Sequence, residues 1–114
     1  MTECLFCRIA SGDIPADVVA RSERAIAFRD VTPQAPVHVL VIPVDHHRDV
    51  ASVVGVDPSL GGEMLALAAE VARREGVDDT GYRLVANTGP EGGQTVHHAH
   101  VHVLGGRPLG WPPG

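Results

Sequence analysis

Four of the chain's seven histidines fall in one short run, Val96-His97-His98-Ala99-His100-Val101-His102-Val103-Leu104. Side chains alternate between faces along an extended strand, so His98, His100 and His102 share one face and His97, Ala99, Val101 and Val103 the other. The second set is apolar apart from His97 and is expected to face a core, which leaves three imidazoles lining a surface or cleft. Three chemistries fit such a row. One is a solvated strand face, although histidine is not favoured there. Another is a metal site, since imidazoles at i and i+2 can converge on one ion. The third is a nucleophile with neighbouring acid, base and charge partners. Neutral imidazole attacks phosphorus well near neutral pH, and a phosphoryl imidazolium is a good leaving group in a second step. His100, flanked on both sides, is the natural nucleophile if a backbone carbonyl accepts a bond from one ring nitrogen and leaves the other bare. The segment before it, Gly89-Pro90-Glu91-Gly92-Gly93-Gln94-Thr95, offers glycine amides and two polar side chains to a phosphate.

These residues need a scaffold. At 114 residues and 44% hydrophobic the chain has room for one compact core and is read as a single domain, 1–114. Two Phe, one Tyr and one Trp leave that core to Val, Leu, Ile and Ala, and a small core of this kind often buries a face against a second copy. A net charge of −5 without a basic run argues against nucleic-acid binding. Met1 to Ser11 lacks the pattern of a signal peptide and no apolar run reaches membrane-spanning length, so a cytoplasmic protein without a membrane partner is expected. Cys4 and Cys7, three apart, suit a metal clip or redox pair better than a framework disulfide.

Cys4 to Ala10 predicts a short helix stopped at Ser11-Gly12. Val18 to Ala20 and Ala25 to Phe28 predict a hairpin, and Val37 to Pro43 the next strand after a loop with two prolines. Asp57-Pro58 places a side-chain acceptor before Pro at the first helical position, and the helix should run to about Glu75 and stop at Gly76. Its Leu60, Met64, Leu67, Ala68, Val71 and Ala72 form one apolar face for a sheet. Tyr82 to Asn87 is a further strand, 88–94 a Gly-rich loop, and Thr95 or Val96 to Leu104 the last strand. The tail from Gly105 to Gly114 is too rich in Gly and Pro for regular structure. Short links and one long helix imply an α+β arrangement with a mostly antiparallel sheet covered on one face.

The His98-x-His100-x-His102 pattern with apolar spacers resembles the histidine triad superfamily. Phe28-Arg-Asp30-Val-Thr-Pro33-Gln34-Ala35-Pro36-Val-His38, Val41-Ile42-Pro43, Gly92-Gly93-Gln94 and the Gly105-Gly106-Arg107 to Trp111-Pro112-Pro113-Gly114 tail resemble its Hint branch, across nearly the whole chain. The resemblance implies a five-stranded, mostly antiparallel sheet with one long and one or two short helices, extended across a homodimer whose tail, 105–114, reaches the partner's site through Trp111. It implies a purine nucleoside phosphoramidase that hydrolyses P–N bonds through a nucleotidyl-histidine and needs no cofactor for chemistry. His100 would be the nucleophile, His102 a phosphate contact, His98 the residue orienting His100 through its carbonyl, and His38 a proton relay to the leaving amine. Asn87, Gly93, Gln94 and Thr95 match phosphate and leaving-group positions, with Thr95 where Ser is usual. Asp30 matches the ribose-binding carboxylate. Leu5, Phe6, Ile9, Ile14, Phe28 and Val31 match the nucleobase pocket, though ordinary core packing would account for the same apolar residues. Dinucleoside polyphosphate hydrolysis and non-catalytic nucleotide binding remain as alternatives.

Other branches of the superfamily use a Cys-x-x-Cys pair with two histidines for structural zinc. By that resemblance Cys4, Cys7, His46 and His98 form a tetrahedral donor set; the alternative is two reduced, partly buried thiols. No role is assigned to His47 or His97.

Overall fold

The computed structural model describes residues 4–114. The first three residues, included in the expected domain and in the reading of the N-terminus, lie outside the described residues.

Five strands form one antiparallel sheet in the order β1-β2-β3-β5-β4. They are β1 (Val18–Arg21), β2 (Ala25–Arg29), β3 (Val37–Pro43), β4 (Tyr82–Val85) and β5 (Val101–Gly105). Alternation sorts their side chains. Ala25, Ala27, Val39, Val41, Val101 and Val103 point to one face, where Leu60, Met64, Leu67, Ala68 and Val71 of helix α3 (Pro58–Arg74) cover them. Asp57 caps α3 by accepting from the Ser59 N–H at 3.1 Å, with Pro58 in the first turn, as the sequence predicts.

Ile26, Phe28, Leu40 and Ile42 point to the opposite face, which is not bare. Phe6, on α1 (Leu5–Ser11), packs edge-on against Phe28 with centroids 5.5 Å apart, and Ile9 joins the same cluster. The centre of the sheet is therefore covered on both sides, and six of the seven residues of β3 are buried. Gly12 ends α1 at φ 87°, the left-handed cap conformation that the Ser11-Gly12 reading requires.

One element is unlocated by the residue pattern and one boundary needs correction. A helix α2 (Val50–Val56) precedes α3 as the second short helix that the resemblance allows; periodicity does not locate it, because Val-Ala-Ser-Val-Val-Gly-Val is a poor helix former by propensity. Tertiary packing overrides this, since Val53 is fully buried in the core and Asp49 caps the first turn by accepting from the Ser52 N–H at 2.8 Å. The last strand begins at Val101, not at Thr95 or Val96. Upstream of it the Ala99 N–H donates to the His47 carbonyl at 2.7 Å, and the His98 carbonyl is taken by the His100 ring, so residues 98–100 are held by loop and side-chain partners instead of a ladder. The ends of β4 and α3 also fall one or two residues short of the predicted ones.

Candidate active site

β3 and β5 pair so that His38 lies opposite Leu104 and Leu40 opposite His102. His38 and His102 are thus diagonal neighbours on the α1 face of the sheet, within reach of long side chains. The His38 Nε2 lies 2.9 Å from His102 Nδ1, and the His100 and His102 rings meet with centroids 5.0 Å apart. His100 is buried and packs edge-on to Phe6 at 5.3 Å.

Backbone groups that can only donate or only accept fix where the ring protons are. His100 Nδ1 lies 2.7 Å from the His98 carbonyl oxygen, which can only accept, so Nδ1 carries the proton and Nε2 is left with a lone pair. The Gln34 backbone N–H donates to His38 Nδ1 at 3.0 Å, so neutral His38 is protonated at Nε2. That proton is directed at His102 Nδ1, which leaves His102 with its own proton on Nε2. Burial favours the neutral forms of His102 and His38. It lowers the pKa of His102 to about 4, helped by the neighbouring His100 and His38 and opposed by Asp30. It also lowers that of His38, again against Asp30. The Asp30 carboxylate lies 3.4 Å from His38 Nε2 and accepts the Thr32 N–H at 2.8 Å.

The alternation argument holds for Ala99, Val101 and Val103, all buried against α3, and for the exposed His97 only in part. It misplaces His98. The ring of His98 is fully buried and belongs to a separate cluster, with its Nδ1 3.3 Å from Cys4 Sγ, 3.4 Å from Cys7 Sγ and 3.2 Å from His46 Nδ1. Cys7 Sγ lies 3.3 Å from His46 Nδ1, and all four donor atoms fall within 4.8 Å of one another. Metal–sulfur bonds of about 2.3 Å and metal–nitrogen bonds of about 2.0 Å around a tetrahedral ion imply donor–donor edges of about 3.3 to 3.8 Å. The observed separations match the short end of that range. Protonation matches as well, because His98 Nε2–H donates to the Pro43 carbonyl at 2.9 Å and leaves Nδ1 bare toward the sulfurs.

Asp30, His38 and His102 also bring three donor atoms within 4.8 Å. They fail the protonation test, since His38 Nε2 must keep its proton while Gln34 occupies Nδ1. That trio is a hydrogen-bond chain, not a metal site.

The remaining predicted residues divide. Phe6 and Phe28 are core, Ile9 and Ile14 are half-buried, and Leu5 (47% exposed) and Val31 (98% exposed) are open to solvent. The Gln94 side chain is buried and committed to the backbone: its amide nitrogen donates to the Arg48 and Val96 carbonyls and its oxygen accepts from the Gly89 N–H. It therefore closes the 88–96 loop and has no donor left for a phosphate. Asn87 closes the same loop by donating to the Gly92 carbonyl at 2.6 Å. The turn is tight, because a Cβ on Gly92 would come within 2.3 Å of the Thr88 carbonyl oxygen. Thr95 is exposed at the mouth of the loop, and Gly93 turns it at φ 80°. The sequence reading missed the parts played by Gln34, Pro43 and Arg107. The first two act through backbone groups that no residue type announces, and Arg107 acts on a carbonyl distant in sequence.

The chain belongs to the HIT domain family, whose profile matches residues 11–109. Purine nucleoside phosphoramidase of Escherichia coli is 44% identical over 108 residues, covering 95% of this chain and 91% of that one. An uncharacterized HIT-like protein of Synechococcus elongatus is 47% identical over 112 residues, covering 98% and 97%. The crystal structure of a HIT family hydrolase from Legionella pneumophila superposes with a TM-score of 0.93 at 48% identity, covering 98% of this chain and all of that one.

Proposed function

We propose that the protein is a nucleotide hydrolase that cleaves the P–N bond of purine nucleoside 5′-monophosphoramidates through a nucleotidyl-histidine at His100. The single observation that carries this reading is the His100 ring, fixed through Nδ1 by the His98 carbonyl with a bare Nε2. In the first step that lone pair forms a bond to phosphorus while the P–N bond breaks, and the amine leaves with a proton taken from solvent. In the second, water attacks phosphorus and gives up a proton to solvent, the P–Nε2 bond breaks, and His100 recovers its lone pair. His102 Nε2–H donates to a phosphoryl oxygen whose charge grows in each transition state. His38 orients His102 in this scheme, and with Nδ1 held by Gln34 any proton it relays toward the amine passes through Nε2. Asp30 accepts from the ribose hydroxyls, Thr95 at the end of the loop turned by Gly93 holds the phosphate, and Leu5, Val31, Ile9 and Ile14 contact the base.

The similarity to a protein named as a phosphoramidase supports the substrate class. Turnover of adenosine 5′-monophosphoramidate against diadenosine polyphosphates tests it. A clear preference for the polyphosphates would overturn the assignment, and binding without turnover of either would make the protein a nucleotide binder.

The reading includes one domain, a homodimer and a structural zinc. The edge strand β4 presents Tyr82 and Leu84, and beside it Val54, Leu65 and Ala86 line an apolar groove. A second copy pairing along β4 would cover both. Trp111, 84% exposed, is then available to the partner's site. Zinc would be held by Cys4, Cys7, His46 and His98 and would stabilise the fold; no step of the reaction passes through it. Among the described residues no helix is long and apolar enough to cross a membrane; nucleic acid has no place in this reading, and the cytoplasm is its setting.

A further inference from the structure

The loop from Asp30 to Pro36 reaches both nitrogens of the His38 ring, with the Asp30 carboxylate 3.4 Å from Nε2 and the Gln34 N–H donating to Nδ1. That contact decides which nitrogen of His38 is protonated, and through the 2.9 Å bond to His102 it decides which proton His102 shows to a ligand. A backbone N–H in an exposed loop flanked by Pro33 and Pro36 holds so fixed a position only if something else holds the loop. The tail does this in two ways. The Arg107 guanidinium donates to the Gln34 carbonyl at 3.0 Å. Gly106, at φ 89°, lets the tail lie directly on the loop: a Cβ there would come within 2.8 Å of Pro36 Cβ. Arg24, Arg29 and Arg74 are paired with carboxylates, whereas the contacts made by Arg107 are to carbonyls, of Gln34 and of its neighbour Pro108. Its charge therefore strengthens a bond to a neutral acceptor.

We infer that Arg107 is a positioning residue for the histidine row, holding the Gln34 backbone by its carbonyl so that the N–H of the same residue holds His38, and through it His102, in a single tautomer. The consequence for turnover rests on the hydrolase reading above; the state of the His38 ring does not.

The test is nitrogen NMR of the imidazoles in the full-length, ligand-free protein at neutral pH, alongside steady-state kinetics on adenosine 5′-monophosphoramidate. In the wild type His38 should be a single tautomer with Nδ1 unprotonated. Arg107→Met should keep the amide spectrum of a folded protein, average the two His38 nitrogen shifts, and lower kcat about tenfold with little change in KM. Arg107→Lys, which retains a charged donor, should restore much of both. Gly106→Ala leaves the guanidinium in place but pushes the tail from Pro36, and should reproduce the Arg107→Met shifts. Gln34→Pro deletes the N–H itself and should give the largest change. Wild-type His38 shifts in folded Arg107→Met would overturn the inference, and should Gln34→Pro not fold, the Arg107 and Gly106 variants decide alone. Altered shifts in an enzyme that never cleaves phosphoramidates would keep the clamp and overturn the proposed reaction instead.

Discussion

At the Cys4, Cys7, His46 and His98 cluster, a backbone carbonyl takes the outer proton of His98 and leaves its inward nitrogen bare; at the His38 and His102 pair, on neighbouring strands, a backbone N–H occupies the outer nitrogen of His38 and puts the proton on the inward one. His98 gives its Nε2–H to the Pro43 carbonyl and turns a bare Nδ1 toward two sulfurs. His38 receives an N–H at Nδ1 and must carry its own proton toward His102. Donor distances alone make both places metal sites. The identity of the backbone partner separates them, and with it the chemistry each can do.

The comparison breaks most sharply at the nucleophile. His100→Ala should lower kcat by about 10³-fold or more while nucleotide binding, followed by calorimetry, survives; near-normal turnover would remove His100 from the chemistry. His98→Ala, which deletes a ring from the other cluster but keeps the carbonyl that orients His100, should cost turnover far less. The second effect is on stability. With free zinc about 1,000-fold above its Kd the gain is about 4 kcal/mol, or about 15 °C in Tm at about 4 °C per kcal/mol for a domain of this size. Thermal unfolding with and without a chelator measures it. Cys7→Ser should abolish the difference, and a wild type indifferent to zinc would reduce the cluster to packed thiols and rings.

A smaller effect follows pH. The folded-state pKa of His102, about 4, lies below its ordinary value of 6.5. Between those values the unfolded chain binds a proton that the folded chain refuses, so stability is full above about pH 6.5 and falls as pH drops toward 4. His38 shifts in the same direction. Denaturant titrations across that window should show a shallower decline in His102→Gln than in wild type; parallel curves would mean the ring is not held neutral. Smallest of all, His46→Gln removes the exposed member of the cluster and should weaken zinc binding by at least about tenfold with turnover nearly unchanged.

Much of this was readable in the residues. The strand Val37–Pro43, the Asp57-Pro58 helix start and the Gly12 stop are encoded locally, by alternation, capping and backbone permissiveness, and they stand where predicted. α2 was not readable, because its helicity is imposed by the packing of Val53 and not by its own valines. The row of histidines was readable as chemistry, and only the resemblance to zinc-binding branches, not alternation, set His98 apart with the cysteines. Alternation places His98 beside His100, yet which ring faces sulfur is decided by α1 and the Pro43 carbonyl, distant in sequence. Gln94 shows the same limit. A polar side chain before the row suggests a ligand contact, whereas burial under the loop spends all its hydrogen bonds on the backbone.

The carbonyl of His98 is what His100 uses, and a carbonyl is the same on any residue. The ring at position 98 and the bond-making role at position 100 are consequently inherited independently. Descendants of this chain could shed both cysteines and exchange the ring at 98 for another packing group without redesigning the nucleophile. The reverse exchange is closed to them, because no other side chain at 100 combines a donor to that carbonyl with a second nitrogen bearing a lone pair.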